Sequence, residues 1–280
     1  MSAPLSAGDE QLSLKSIRFN QFGDAQTQLM ERITGPPAVQ LVNLAGVAAA
    51  ASSASEPVKV LDVCSGAGVV VDVLLKALEA KEDKVKVVST DLEAAMVELA
   101  KKRGEQQGWT NVETKVADGT ALPFEDASFD FVLCSFGPQF FPDLEKGVAE
   151  AARVLVPGGT YAYTAWTSPG FVPYLLKADP SLTIPLSVPF SKPIAQRAAL
   201  PALLSAGGFD GDNAKVENVK VPFAFEGTEH FIETMKMFPG PLFTSEERCE
   251  KVKEALREDF GEKPFTLDWI GLAVSVQKRA

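Results

Sequence analysis

The sequence is poor in the residues that most often build metal and redox sites. It has one histidine, His230, and three cysteines, Cys64, Cys134 and Cys249, among 280 residues. Three cysteines that are widely separated and odd in number match neither a disulfide framework nor a zinc-binding pattern. We therefore expect no metal site and a reducing environment. No apolar run reaches the length needed to cross a bilayer.

Positive charge is also scarce. The chain has 27 Lys and Arg against 37 Asp and Glu, a formal net charge of −10. This balance argues against nucleic acid and against an anionic membrane surface as partners, because both bind clustered basic side chains. The first residues lack the basic and apolar segments of a signal peptide. We expect a cytoplasmic protein whose partner is a small molecule, and the sequence leaves the oligomeric state open.

The stretch that organises the chain is 58–71, with the sequence VKVLDVCSGAGVVV. It begins with a short β-branched run, continues through the small, glycine-containing segment 64–68, and ends in residues with helical spacing. A strand, a glycine turn and a helix are typical of the first unit of a nucleotide-binding α/β sheet, although one such match is weak evidence.

Further strands alternate with helices along the chain. The pattern predicts strands at 84–89, 112–116, 129–134 and 160–166, and two more at 216–225 and 266–278. This alternation indicates a doubly wound parallel sheet with ligands at the carboxyl ends of the strands. Asp91 follows Gly68 by 23 residues (91 − 68) and stands at such an end, where an acid can bind ribose hydroxyls. The alternative is that Asp91 only caps the next helix.

Residues before the first strand predict two helices. Asp24 begins one that runs to Ile33, Gly35-Pro36-Pro37 ends it, and a second starts at Ala38. We interpret 48–56 as a low-complexity link into the first strand. These helices either pack on the sheet or cover a site at its edge.

Four strand-end segments now carry a specific resemblance: LDVCSGAG, TDLEAAM, ADGTALPFEDASFD and AARVLVPGG. In this order and spacing they resemble the class I S-adenosylmethionine-dependent methyltransferases, most closely the ubiquinone/menaquinone-biosynthesis-like small-molecule branch, over about residues 57–166. The resemblance implies an α/β, Rossmann-like, mostly parallel seven-stranded sheet with an antiparallel last strand and an N-terminal helical lid. It implies a lid at 1–56 and a methyltransferase domain at 57–280, with an acceptor-binding insertion at about 226–262.

The same resemblance implies S-adenosyl-L-methionine as cofactor and assigns its contacts. The glycine turn would pass under the methionine part, Asp91 would hold the ribose, and Asp118 would accept from the adenine amino group. The full cofactor set is Asp62, Cys64, Ser65, Gly66, Gly68, Asp91, Leu92, Met96, Ala117, Asp118, Gly119, Ser135 and Phe136. Cys64 departs from the family, which usually has glycine there. Asp62 would steady the loop, or be a satisfied structural carboxylate.

Apolar segments outside this set are candidates for the acceptor site. The predicted substrate residues are Phe19, Phe22, Gln139, Phe140, Phe141, His230, Met235 and Phe238. Methionine and phenylalanine clusters also form ordinary core, so both interpretations stay open for Met235 and Phe238. A lone histidine is most often structural, which makes His230 a weak candidate for a catalytic base.

These features predict methyl transfer to a nucleophilic heteroatom of an apolar small molecule: a thiol, an acidic phenol or enol, or an amine. Catalysis would come mainly from proximity and orientation. The alternative is a cofactor-binding protein without transfer activity, acting as a regulator or a cyclase. A nicotinamide-dependent oxidoreductase fits less well. The glycine-rich motif of those enzymes needs a third small residue where this chain has Val71, and such an enzyme would give Asp118 no role.

Overall fold

A computed structural model describes residues 24–78, 83–182, 192–237 and 241–280. Within these residues the chain forms one seven-stranded sheet in the order β3-β2-β1-β4-β5-β7-β6. The strands are β1 (Val58–Val63), β2 (Val85–Asp91), β3 (Val112–Val116), β4 (Phe129–Ser135), β5 (Leu155–Ser168), β6 (Lys215–Phe225) and β7 (Phe265–Gln277). Strands β1 to β5 pair in parallel, and β7 is antiparallel to both β5 and β6. The predicted fold class is confirmed.

Helices cover both faces of the sheet. They are α1 (Asp24–Ala45), α2 (Val47–Ser53), α3 (Val69–Leu78), α4 (Ala94–Gln107), α5 (Leu144–Val154), α6 (Val172–Ala178), α7 (Leu200–Ala206), α8 (Thr228–Met237) and α9 (Glu246–Phe260). One apolar core joins α1, α2 and α3 to β1, β2 and β4. A second joins α5 and α7 to β4, β5 and β7. A third, rich in aromatic residues, lies under α6, α8 and α9.

The N-terminal region differs from the sequence prediction in one respect. Helix α1 is continuous through Pro36 and Pro37, so the prediction that Gly35-Pro36-Pro37 separates two helices is wrong. Prolines inside a helix remove backbone hydrogen bonds, but here the following turns bury Ala38, Leu41 and Val42 against α3. Tertiary packing therefore outweighs the local cost. The lid function and the division of the chain at residue 56 stay predictions.

Two short helices lie in segments where the sequence patterns predicted none. Helix α2 occupies 47–53, where a low-complexity link was expected, and α6 occupies 172–178, shortly after β5. Both bury apolar side chains, Val47 and Ala51 in α2 and Leu175 in α6. Tertiary contacts rather than local propensity stabilise such short helices.

Helix length and composition bear on the expectation that no segment spans a membrane. Among the described residues, no single helix is both long and apolar enough to do so. Gln28–Ala45 and Val47–Ser53 pass that test only as a pair, bent by 41° where they meet.

Candidate cofactor site

The glycine turn, residues 64–68, connects the carboxyl end of β1 to the N-terminus of α3. Gly66 and Gly68 have φ values of +54° and +79°, which L side chains adopt only with strain. A Cβ at Gly68 would lie 3.0 Å from a ring carbon of Trp109, whereas a Cβ at Gly66 would meet no described atom within 4 Å. The turn is therefore packed against α4 on one side and open on the other, as a loop that receives a ligand must be.

Cys64 has a strained backbone conformation at the start of this turn. Its φ is +56°, in the left-handed region that favours glycine. A Cβ on Gly137, in the loop after β4, would come within 2.6 Å of the Cys64 Cβ and 2.5 Å of the Cys134 Sγ. Burial, followed by the hydrogen bond with the Cys64 thiol, raises the pKa of the Cys134 thiol. The side chain of Cys64 thus fills the space between the β1 and β4 loops.

Asp91 ties the end of β2 to the glycine turn. Its Oδ2 accepts from the Gly66 N–H at 2.9 Å, and its Oδ1 accepts from the Glu93 N–H at 3.0 Å. Burial raises the pKa of this carboxyl, and the backbone N–H groups of Glu93, Gly66 and Leu92 oppose that effect. A carboxylate has about four acceptor positions, so two remain for a ribose diol. Capping and ribose binding are compatible at this position.

Asp62 is the most unusual group of the site. It lies in β1 and is 1% exposed, and neither of its carboxylate oxygens has a hydrogen-bond partner among the described residues. Burial and, secondarily, the charge of Asp91 raise its pKa well above the ordinary value of 3.8. The hydroxyl of Ser65, within the turn, is also buried without a partner in the described part of the chain. Within the described residues, the protein itself supplies no hydrogen-bond partner for the Asp62 carboxyl.

The end of β3 contributes Asp118 and Gly119. The Asp118 Oδ1 accepts from both the N–H and the hydroxyl of Thr120 at 2.8 Å, and the residue is exposed. Gly119 is buried, and a Cβ there would lie 2.7 Å from the ring of Phe141. The Ala117 N–H donates to the Asp91 carbonyl at 2.9 Å, which joins this segment to the end of β2.

Two apolar side chains of the predicted cofactor set differ in their exposure. Leu92, directly after β2, is 61% exposed, whereas Met96 in α4 is buried at 8%. A large exposed leucine beside a carboxylate is available to cover one face of a base.

The end of β4 has a second strained residue. Phe136 has a φ of +57°, and its N–H donates to the Oγ1 of Thr164, which also bonds the Ser135 hydroxyl at 3.0 Å. Its ring stacks on Trp166, with centroids 4.3 Å apart and planes 13° apart. Cys64 directly follows β1 and Phe136 directly follows its neighbour β4. Strained residues at two neighbouring strand ends are typical of a functional site.

The predicted substrate residues are only partly brought together. Gln139 is buried, and its Oε1 accepts from the Trp166 N–H at 2.8 Å, so its carbonyl positions β5. Phe141 is buried under Gly119, and Phe140 is half-buried. Phe19, Phe22 and Phe238 lie outside the described residues.

Met235 and His230 lie on α8 with different surroundings. Met235 is 1% exposed and belongs to the aromatic core that also contains Phe136 and Trp166. His230 is exposed, and its Nδ1 accepts from the Glu226 N–H at 3.1 Å. In this arrangement the lone histidine stabilises the turn between β6 and α8.

Trp166 and Thr164 support Phe136 from β5 and are absent from the residues predicted from sequence. The signal was available, since both end a predicted strand that neighbours β4 and so face the same edge of the sheet. It was missed because a tryptophan and a threonine in a buried strand match an ordinary core equally well.

A family model for the ubiE/COQ5 methyltransferase family matches residues 46–176. The predicted methyltransferase resemblance is confirmed over this segment. The match supports S-adenosyl-L-methionine as the cofactor. The chain is 40% identical over 113 residues to a demethylmenaquinone methyltransferase of Deinococcus radiodurans, covering 40% of this chain and 44% of that protein. It is 36% identical over 104 residues to a ubiquinone/menaquinone biosynthesis C-methyltransferase of Bartonella henselae, covering 37% and 39%.

A crystal structure of an S-adenosylmethionine-dependent methyltransferase from Aquifex aeolicus superposes with a TM-score of 0.51 at 17% identity, covering 91% of this chain and 99% of the other. At this identity the likeness concerns the fold. The chain spans less than half the length of the curated relatives it matches. The family match ends at residue 176 and leaves the C-terminal third outside its range.

Proposed function

We propose that this chain binds S-adenosyl-L-methionine at the glycine turn and transfers its methyl group to an apolar small molecule. The observation that carries the proposal is Asp62, a buried carboxyl whose two oxygens have no partner in the described residues. A buried polar group without a partner is costly, so one is expected in the functional state. The cofactor has a cationic amino group that is a suitable donor.

The neighbouring residues fit the rest of the cofactor. Asp91 offers its two free acceptor positions to the ribose hydroxyls, and Gly66 has no Cβ on the open side of the turn. Asp118 keeps the second oxygen of its carboxylate for the adenine amino group, because the described contacts with Thr120 use Oδ1 alone. When bound, the sulfonium supplies an electrophilic methyl group and a neutral leaving group.

The acceptor would bind beside Phe136, against the aromatic core. Trp166 stacks on Phe136, and Trp269 meets Trp166 edge-on at 5.5 Å. An apolar wall of this kind excludes water from the transfer and holds the acceptor in line with the methyl group. We propose that the chain contributes alignment and not general-base catalysis, because the Nδ1 of the candidate base, His230, already accepts from a backbone N–H. A cytoplasmic location and a small-molecule partner belong to the same proposal.

The atom that receives the methyl group has two candidates. Since the described residues offer no evident general base, an acceptor that is nucleophilic near neutral pH is favoured, such as a thiol, an acidic phenol or enol, or an amine. The second candidate is a carbon atom, which the similarity to a C-methyltransferase favours. A phenolate or enolate can react through oxygen or through carbon and so agrees with both.

Two experiments test the proposal. Calorimetry with S-adenosylhomocysteine should show one site per chain, with NADH as the negative control; binding of NADH alone would contradict the assignment. Incubation with methyl-labelled cofactor and a panel of thiols, phenols, quinols and amines should then give a labelled product, whose NMR spectrum identifies the methylated atom. Cofactor binding without turnover across the panel would favour the regulator or cyclase alternative.

A further inference from the structure

An ion pair connects α1 and α4, two helices that lie on either side of α3. Glu31 in the first half of α1 accepts from the guanidinium of Arg103 in α4. The Arg103 and Glu31 side chains are 19% and 35% exposed, so the pair is partly shielded from water. Nothing in the motif pattern assigns either residue a role.

The topology places α3 between these two helices. Strands β1, β2 and β3 follow one another across the sheet, so the right-handed connections α3 and α4 lie on the same face. Helix α4 packs over β2 and β3, whereas α1 packs along α3 and over β4 and β5. A contact from α1 to α4 must therefore pass across α3.

Helix α4 approaches the end of the glycine turn, where α3 begins. Ala100 of α4 would lie 3.4 Å from a Cβ on Gly68, and Arg103 is one helical turn further along the same face. Arg103 thus projects from the face of α4 that contacts the glycine turn.

The segment carrying Glu31 also reaches the acceptor side. Ile33 is 1% exposed and packs in the aromatic core with Phe136 and Trp166. Residues 31–33 therefore connect Arg103 of α4 to the aromatic core that contains Phe136. We name them the strap.

We propose that Glu31 and Arg103 form a latch that holds the strap across the glycine turn and limits the rate of cofactor release. This inference rests on the proposed function. Both are positioning residues: they act on the cofactor through the strap. A partly exposed ion pair has a modest strength, which suits a contact that must open in each catalytic cycle. Because salt screens such pairs, release should also accelerate with ionic strength.

Release of S-adenosylhomocysteine, measured by stopped-flow fluorescence, tests the latch. Trp109 contacts Gly68 and supplies an intrinsic signal near the turn. Glu31→Gln and Arg103→Gln should each accelerate release about two- to fivefold, the factor for a pair of this exposure. The exposed neighbour Lys102→Gln removes the same charge from α4 and should leave the rate unchanged.

The double variant Glu31→Arg, Arg103→Glu distinguishes a latch from two independent effects. It restores opposite charges in reverse and should return the release rate to within about twofold of the wild type, because the pair acts as a unit. Wild-type release rates in both single variants would overturn the latch, as would a double variant that releases as fast as they do. Failure of the wild-type protein to bind S-adenosylhomocysteine would instead contradict the proposed function.

Discussion

The two halves of the sheet have different chemistry. We call the half formed by β1, β2 and β3 the carboxylate side and the half formed by β5, β6 and β7 the aromatic side. Strands β1, β2 and β3 end in carboxylates and glycines whose backbone contacts are specified one by one: Asp91 holds Gly66, and Asp118 holds Thr120. Strands β5, β6 and β7 instead contribute to an aromatic core around Trp166, Trp269 and Phe231. A cofactor of fixed structure needs hydrogen-bond acceptors at particular places. The proposed apolar substrate, which would accept the methyl group, needs only a shaped surface that excludes water.

This difference has an energetic side. Two features of the carboxylate side lower the stability of the fold: Asp62 has no partner among the described residues, and Cys64 is in a left-handed conformation. The aromatic side gains stability from burial, with Phe231 and Met235 at 0% and 1% exposure. We expect substitutions on the aromatic side to change mainly stability and those on the carboxylate side to change mainly cofactor binding.

The largest effect should come from Phe231→Ala. Phe231 packs edge-on against Phe225 and Phe243 at centroid distances of 5.0 and 5.8 Å, so its removal leaves a large cavity. The free energy of unfolding should fall by about 3–5 kcal/mol in denaturant titrations. Cofactor affinity of the folded fraction should stay near wild type; a parallel loss of affinity would show that the two sides are not separable.

Asp91→Ala should have the next largest effect, on cofactor binding. It removes the acceptor of the Gly66 and Glu93 N–H groups and the proposed ribose contact. Calorimetry should show binding weaker by about 1–3 kcal/mol. Asp118→Ala belongs in the same experiment, with a loss in the same range. Wild-type affinity in either folded variant would remove that residue from the site.

Asp62→Asn should stabilise the protein and weaken cofactor binding together. The folded-state pKa of Asp62 is raised, so the unfolded chain loses this proton first as pH rises from about 3.8. The free energy of unfolding therefore falls across that interval and stays lower above the folded-state pKa. The variant lacks this slope and should be more stable than the wild type at pH 7, because no buried carboxyl has to lose its proton. Thermal unfolding from pH 4 to 8 measures it; an unchanged pH profile would mean that Asp62 does not titrate as its burial implies.

The smallest effect should come from His230→Asn. The imidazole is exposed, and its Nδ1 accepts from the Glu226 N–H. We expect the turnover number with the true acceptor to fall less than about tenfold, because a general base contributes roughly 10²–10⁴. Loss of about a thousandfold, with the acidic limb of the pH profile removed and cofactor affinity intact, would make His230 the base.

The carboxylate side was the more predictable of the two from sequence. Positions such as Gly66, Asp91 and Asp118 must have particular residues for backbone and hydrogen-bonding reasons, so their identity and spacing are visible in one chain. The aromatic side has no such constraint, and Trp166 was indistinguishable from core until β5 was placed beside β4. Gln139 looked like a polar acceptor contact, yet its carbonyl is used by the Trp166 N–H.

Helix α1 shows a different limit of sequence reasoning. Gly35, Pro36 and Pro37 are local signals for a helix end, but the helix continues because Leu41 and Val42 are buried on α3. The Glu31–Arg103 pair lies 72 residues apart in the chain, a separation at which no short motif operates.

The thiol of Cys64 is a site for chemical labelling at the start of the glycine turn. Cys64 is half-buried, whereas Cys134 and Cys249 are each 1% exposed. A maleimide reagent should therefore modify one cysteine of the native chain quickly and the other two only on unfolding. Because that cysteine opens the turn proposed to lie under the cofactor, the labelling rate measures site occupancy without any knowledge of the acceptor. Ligand libraries can thus be screened on the unaltered protein by mass spectrometry.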